Sequence, residues 1–329
     1  MFASFQQNVI PEIPLDNWTD RFVDYVQDIE VVEEFFDLIK DGIGGFVGAL
    51  EAALTAPPQL LMVAVFSAIA LFVAGWRVGL FSVVGFLLII SLGLWDATML
   101  SLALVLAATV ASLLVGVPIG VLAAKSKAME AAVRPTLDIM QTMPAFVYLV
   151  PMVVFLGLGG TPALVATVIF AAPPAVRLTM LGIQQVPKNT VEAAHAFGAT
   201  PWQTLRKVEL PQALPTIMAG VNQVIMLALS MVVIAALVGA GGLGEAVVRG
   251  LSQLDVGRAF VGGVGIVIIA IYLDRVTRPL GGLIQRKPGK KGGMLSKVLP
   301  GGKKSSDVDP DTAGTTGAGA KETVGAGTR

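Results

Sequence analysis

The sequence predicts an all-α membrane protein that crosses the bilayer about seven times, and three observations predict it. Of 329 residues, 54% are hydrophobic and only 14% charged, with a mean hydropathy of +0.76; a soluble domain is about 25% charged. The uncharged residues come in runs, at 52–76, 78–95, 97–124, 139–176, 210–244 and 259–273, most of them near or above the roughly 20 residues a membrane helix needs. Charge is also sorted by position: residues 1–56 carry 11 acidic and two basic side chains, and residues 274–329 carry 11 basic and five acidic. This apolar surplus excludes a soluble cytosolic enzyme and a disordered chain. Cysteine is absent, which removes disulfides, thiolate catalysis and cysteine–metal sites, and one histidine leaves no multi-histidine zinc site. The 23 basic and 23 acidic residues cancel, so no generic nucleic-acid partner is expected.

At the N-terminus, Trp18, Phe22, Tyr25, Ile29, Val32, Phe36 and Ile39 recur at helical spacing between acidic residues, predicting an amphipathic helix. The segment lacks the basic start of a signal peptide, and its acidity opposes docking on anionic lipid. Spans are then expected near 59–76 and 78–95, with Trp76 and Trp95 at interfacial positions. The third, 99–124, carries Gly116-x-x-x-Gly120, a pattern that admits close helix approach. The 38-residue run 139–176 exceeds one crossing of a core about 30 Å thick. Gly157-Leu-Gly-Gly-Thr-Pro162 divides it, giving spans near 143–158 and 162–183. Arg177, about two turns inside the second of these, is read as snorkelling to the interface. The last spans fall near 214–239 and 259–273, joined by a nearly neutral loop at 240–257.

Orientation follows the positive charges. Arg275, Arg278, Arg286, Lys287, Lys290 and Lys291 place the C-terminus in the cytoplasm, together with Lys125, Lys127, Arg134, Lys188, Arg206 and Lys207. Seven spans then put the N-terminus outside. Residues 286–329 are too polar to bury a core and are expected to be a disordered cytosolic tail. Gly301-Gly-Lys-Lys-Ser-Ser306 looks like a phosphate-binding loop, but the glycine required five residues before Gly302 is Lys297. The expected spans hold no acidic residue, whereas ion-coupled carriers often place Asp, Glu or His there. With no energy source of its own, the chain reads as a passive channel or as a protein driven by a partner. Pro118, Pro144, Pro151, Pro173 and Pro174 lie in or at the ends of spans, where neighbours or a cavity must satisfy the freed backbone groups.

The cytosolic loop before the sixth span is the most informative segment. Asn189 and Thr190 can cap a helix starting at Val191 and Glu192, whose carboxylate suits a helix N-terminus. Gly198 ends that helix or allows a left-handed turn. Thr200-Pro201 offers a cap and first position for a second short helix, running to about Val208 and closed by Pro211. The two helices would project into the cytosol as a rigid knob.

This loop resembles the signature of ABC importer permeases: EAA, three residues, Gly, nine residues, Ile, one residue, Leu-Pro. Glu192-Ala193-Ala194, Gly198 and Leu210-Pro211 match at every spacing, and Val208 replaces the isoleucine. Arg177–Pro187, Pro215–Gln223, Leu227–Ala235, Gly241–Gly244 and Gly262–Ile268 are similar to the glycine betaine/proline, or compatible-solute, permease family, with resemblance densest over 97–278.

The resemblance implies a type I ABC importer transmembrane fold. It divides the chain into an acidic extracytoplasmic segment (1–56), two additional spans (57–96), a permease core (97–278) containing the coupling loop (190–211), and a basic tail (279–329). It assigns coupling to Glu192, Ala193, Ala194 and Gly198, with Leu210 and Pro211 fixing the loop's exit. Implied partners are cytoplasmic ATPase subunits, which bind ATP and Mg, an extracytoplasmic substrate-binding protein, a second permease copy and the inner-membrane bilayer. No cofactor, metal or catalytic residue is implied in this chain. The implied activity is import of glycine betaine, proline or a related quaternary amine. Choline or another small solute remains open, as do an ion-coupled secondary transporter and a structural or sensory membrane subunit.

Overall fold

The computed structural model describes residues 29–284 together with positions 17, 18, 21 and 25, and its regular elements are all helical among these residues. The expected tail at 286–329 and Phe22 of the amphipathic pattern lie outside the described residues. Helix α1 (Glu30–Thr55) continues that pattern well past Ile39. Trp18, Tyr25 and Ile29 are exposed, whereas Val32, Phe36 and Ile39 are half-buried. The Phe36 ring stacks on Phe155 at 5.1 Å, so the helix is seated on protein along part of its apolar face.

Helices α2 (Gln59–Ala74) and α3 (Trp76–Ser91) are separated by Gly75 alone, whose φ of 98° is open to glycine at no steric cost. They fold back on each other: Phe66 stacks on Phe86 at 4.9 Å, and a Cβ on Gly79 would lie 3.1 Å from that of Leu71. The Tyr272 hydroxyl, from the last helix, donates to the Phe66 carbonyl at 3.2 Å and ties this hairpin to the rest.

The centre is formed by α4 (Trp95–Lys125), α7 (Gly160–Gln184), α10 (Leu210–Ala235) and α12 (Val256–Ile284). Phe86, Ile89, Met99, Leu104, Val224, Ile269 and Tyr272 are buried in one apolar core shared by α3, α4, α10 and α12. Gly116 and Gly120 of α4 face Ala175, Val176 and Thr179 of α7 so closely that a Cβ at either would meet a neighbour at 2.6 or 2.7 Å. The close approach expected of that glycine pair is therefore realised on α7. Leu80 and Val84 of α3 and Leu114 of α4 stand exposed, as lipid-facing side chains of a membrane helix would.

Each expected span is a helix, but their lengths revise the crossing count. Among the described residues, four are long and apolar enough to cross alone: α4, α7, the continuous helical stretch 201–238, and α12 over 256–279. Helices α2 and α3 have 16 residues each and α6 (Ala145–Leu156) has 12. At 1.5 Å per residue these reach about 24, 24 and 18 Å. Counting each bent helix pair as one span raises the total to six, one below the seven expected. Breakers set the lengths: Gly75 ends α2, and Pro144 and Gly157 bracket α6.

Two stretches expected as loops are helices. Residues Lys127–Thr142 form α5, capped by the Ser126 hydroxyl, which accepts from Met129 N–H at 3.4 Å; α5 meets α6 at a 95° bend. Residues Gly242–Ser252 form α11, within the stretch read as a plain connector at 240–257. The first Leu243 N–H of α11 donates to Ser101 Oγ on α4 at 2.8 Å, which gives a helix-terminal donor its partner. Pro118, Pro151, Pro173 and Pro174 all lie inside helices.

Candidate functional site

The segment between α7 and α10 carries the residues singled out by sequence. Helix α8 (Lys188–Ala196) starts three residues before the expected position, with Pro187 at its N-cap and no side-chain cap. Asn189 Oδ1 instead accepts from the next backbone N–H, of Thr190, at 3.0 Å. Proline's fixed φ and missing donor suit a helix start, so Pro187 displaces the Asn189–Thr190 cap. Glu192 consequently sits in the second turn, exposed on the helix flank, and does not offset the N-terminal dipole from the first turn.

The end of α8 is as the sequence predicts. Gly198 has φ +79°. Its N–H donates to the His195 carbonyl at 2.9 Å, and Ala199 N–H reaches back to the Ala194 carbonyl at 3.0 Å. Together these bonds form a Schellman motif. A Cβ at Gly198 would touch nothing within 4 Å, so the demand for glycine is conformational.

The second helix begins as expected and ends differently. Thr200 caps α9 (Pro201–Thr204): its hydroxyl accepts from Gln203 N–H at 3.3 Å, and Gln203 Oε1 accepts from Thr200 N–H at 2.9 Å. This is a capping box with proline at the first helical position. The helix does not stop near Val208. It widens into a π turn (Leu205–Glu209), in which Leu210 N–H reaches the Leu205 carbonyl, and continues directly into α10. Pro211 therefore lies within a continuous helix. Its ring would crowd the carbonyl four residues back, and widening the turn accommodates it.

The structure places Glu192, Ala193 and Gly198 exposed on the knob and Ala194 half-buried beneath it. Leu210 is packed against a small apolar cluster of Ile183, Leu205, Ala213 and Ile217, with Val121 of α4, while Pro211 is exposed. The knob is thus joined to α4, α7 and α10 through one apolar base. Two neighbours that sequence reasoning did not select stand out: Phe197 is 93% and Trp202 65% exposed. Large aromatics in a short polar loop were the available signal, since such rings normally find cover unless a partner supplies it.

Beside the knob, α5 and α7 enclose a cavity of about 370 Å³ lined by Arg134, Leu137, Asp138, Arg177, Met180 and Gln184. Arg177 Nη2 donates to Asp138 Oδ1 at 2.5 Å, so it is ion-paired across the cavity and not merely snorkelling. Arg134 pairs with Glu130, which also accepts from Gln184 Nε2 at 3.0 Å. The Gln184 hydrogen bond, aided by Arg134 and Lys127, holds the Glu130 carboxyl below its ordinary range against some desolvation. Each of these charges has an opposite partner, which makes the cluster a brace between α5 and α7. Among the described residues no group of His, Asp and Glu is placed to hold a metal ion.

Residues 116–286 match the family model of the binding-protein-dependent transport system inner membrane component. The chain is 49% identical over 269 residues to the glycine betaine transport system permease protein of Bacillus subtilis, covering 82% of this chain and 95% of that one. It is 46% identical over 269 residues to the glycine betaine/proline betaine transport system permease protein of Escherichia coli, covering 82% and 75%. With the glycine betaine/carnitine transport permease protein of Listeria monocytogenes it shares 50% over 273 residues, covering 82% and 96%. Among solved structures, an inward-facing methionine ABC transporter superposes with a TM-score of 0.53 at 24% identity. The superposition covers 56% of this chain and 93% of that chain, a likeness of fold.

Proposed function

The chain belongs to the family of binding-protein-dependent transport system inner membrane components, the ABC importer permeases, and from that premise we propose that it moves glycine betaine, proline or a related quaternary-amine osmolyte inward. Its near relatives are permeases named for glycine betaine, with proline betaine or carnitine as alternatives. The observation that carries the mechanism is the knob: α8 and α9, joined by a glycine turn, presenting Glu192, Ala193, Phe197 and Trp202 and running unbroken into α10. We assign these surfaces to the cleft of an ATPase subunit, with Gly198 setting the angle between the two helices, Leu210 seating the knob on the helix bundle and Pro211 fixing its exit into α10.

In this reading the partner ATPase binds ATP and Mg, and its closure moves the knob. The continuous helix 201–238 carries that movement into the membrane, opening the pathway toward a loaded extracytoplasmic binding protein. Two copies of this chain form the pathway, and no residue of it performs bond chemistry. Co-reconstitution of the permease with its ATPase and binding protein tests the function. Labelled glycine betaine is expected to accumulate only with ATP and all components, and neither hydrolysis nor uptake is expected from the permease alone. Concentrative uptake by the permease alone under a sodium or proton gradient would replace this reading with a secondary transporter.

We further propose that the N-terminus is outside and the C-terminus cytoplasmic. This orientation counts α2 and α3, which fold back on each other, as two crossings and α4, α6, α7, α10 and α12 as five, an odd total that separates the termini; six crossings would put both termini on one side. No cysteine is present in the chain, so single cysteines report without background. Ser4→Cys and Gln253→Cys are expected to react with an impermeant thiol reagent from outside, and Ser296→Cys only after permeabilisation. Labelling of Ser296→Cys in sealed cells would reverse the orientation.

A further inference from the structure

At the exit of the knob, Glu209 closes the π turn and is only 5% exposed. A carboxylate buried there is costly unless an opposite charge meets it. Lys125, the last residue of α4, supplies that charge through an ion pair. The basic side chains of the turn itself, Arg206 and Lys207, are exposed. Around the pair, Val121 and Ala124 of α4 pack, with Leu210, against the apolar cluster that contains Leu205, so charge and apolar packing join the same two elements. Some distance along α4, Ser101 Oγ holds the Leu243 N–H of α11 at 2.8 Å. Beside it, a Cβ at Gly242 would lie 2.4 Å from the same hydroxyl. A helix of 31 residues, about 46 Å long, is therefore fastened near one end to the knob and near the other to α11.

We infer that α4 is a second rod for coupling, parallel to the covalent path through α10, and that Glu209, through its ion pair with Lys125, is the positioning residue that makes α4 follow the knob. The inference rests on the knob being the ATPase docking site. When the knob shifts, the π turn shifts with it, and Glu209 displaces the end of α4 in register with α10. The tight contact of Gly116 and Gly120 with α7 keeps α4 from flexing at Pro118 as it moves. The hydrogen bond from Leu243 to Ser101 then delivers the displacement to α11. Without the pair, α10 would move while α4 lagged, and ATP would be hydrolysed with little solute moved.

The test uses the full complex in proteoliposomes and reads labelled glycine betaine imported per ATP hydrolysed, beside the amount of permease and of co-purified ATPase. Glu209→Gln and Lys125→Gln are each expected to keep the ATPase bound and to lower the ratio about tenfold, a size typical of residues that couple distant sites. Lys125→Arg, which preserves the pair, is expected to keep the ratio, and Lys125→Glu combined with Glu209→Lys to restore about half of it. If Glu209→Gln fails to reach the membrane, the double exchange decides: recovery of protein together with the ratio supports the rod. Recovery of protein without the ratio, or a normal ratio in Glu209→Gln, overturns it. Failure of the proposed function itself reads differently, as a wild-type complex that does not retain the ATPase or imports nothing with ATP.

Discussion

Gly198→Val is expected to abolish ATP-driven import while leaving normal amounts of permease in the membrane. The backbone at Gly198 has φ +79°, a region that costs an ordinary L-residue about 1–2 kcal/mol and a β-branched residue more. Nothing lies within 4 Å of a Cβ built there, so no clash unfolds the bundle. The valine is instead relieved by rotating the backbone out of the left-handed region. That rotation breaks the bonds from Gly198 N–H to His195 O and from Ala199 N–H to Ala194 O, and it swings α8 away from α9. Glu192 on α8 and Phe197 at its C-cap would then no longer present together with Trp202 on α9. Gly198→Asn gives the contrast, because asparagine tolerates the left-handed region; import near the wild-type rate is expected. The measurements are membrane abundance, labelled glycine betaine uptake and ATP hydrolysis stimulated by loaded binding protein. Equal uptake by Gly198→Val and wild type at equal abundance would remove the turn from the coupling mechanism.

Gly120→Val is expected to do the opposite and fail before function is reached. A Cβ at Gly120 would lie 2.7 Å from both the Val176 carbonyl oxygen and the Thr179 Cβ. One of these is backbone on a packed helix, so α4 and α7 must separate to admit the side chain. Overpacking of this kind costs about 3 kcal/mol or more where the backbone has to move. That loss should lower the melting temperature of the purified protein by about 5–10 °C and reduce its yield from membranes. Gly45→Val on α1, where nothing lies within 4 Å, is the control expected to leave both unchanged. A stable Gly120→Val would mean that the α4–α7 contact contributes little to the fold.

The contrast between these two glycines marks what the sequence can express. Turn chemistry is local. Gly198, Thr200, Pro201 and Gln203 each act through their own or neighbouring backbone, and the observed Schellman motif and capping box follow directly. The apolar runs are equally legible, since helices occur wherever they were expected. What escaped is set by contacts between distant segments or by competition between neighbours. Pro187 overrode the Asn189–Thr190 cap because a proline one residue before Lys188 already fixes the chain for helix entry. Pro211 looked like a terminator, yet one widened turn lets the helix pass it. Arg177 looked unpaired because Asp138, its partner, is 39 residues away on an element that read as a loop. Glu209 sits at the edge of the 210–244 uncharged run, where its burial against Lys125 could not be read from spacing. Even so, a lone carboxylate abutting that run was a signal of interfacial placement.

Crosslinking from the knob shows whether this loop docks on the ATPase subunit. A benzophenone attached through Ala193→Cys, exposed on α8 and free of background in a cysteine-less chain, is placed beside the same probe at Gln253→Cys after α11. On illumination of the assembled transporter, the probe at position 193 is expected to join the permease to its ATPase subunit, in a yield that changes when ATP is bound. The probe at position 253 is expected to join it to none. Equal ATPase crosslinking from the two positions, or none from position 193 in a transporter that still imports with ATP, would contradict the assignment of this loop as the site where ATP is coupled to transport.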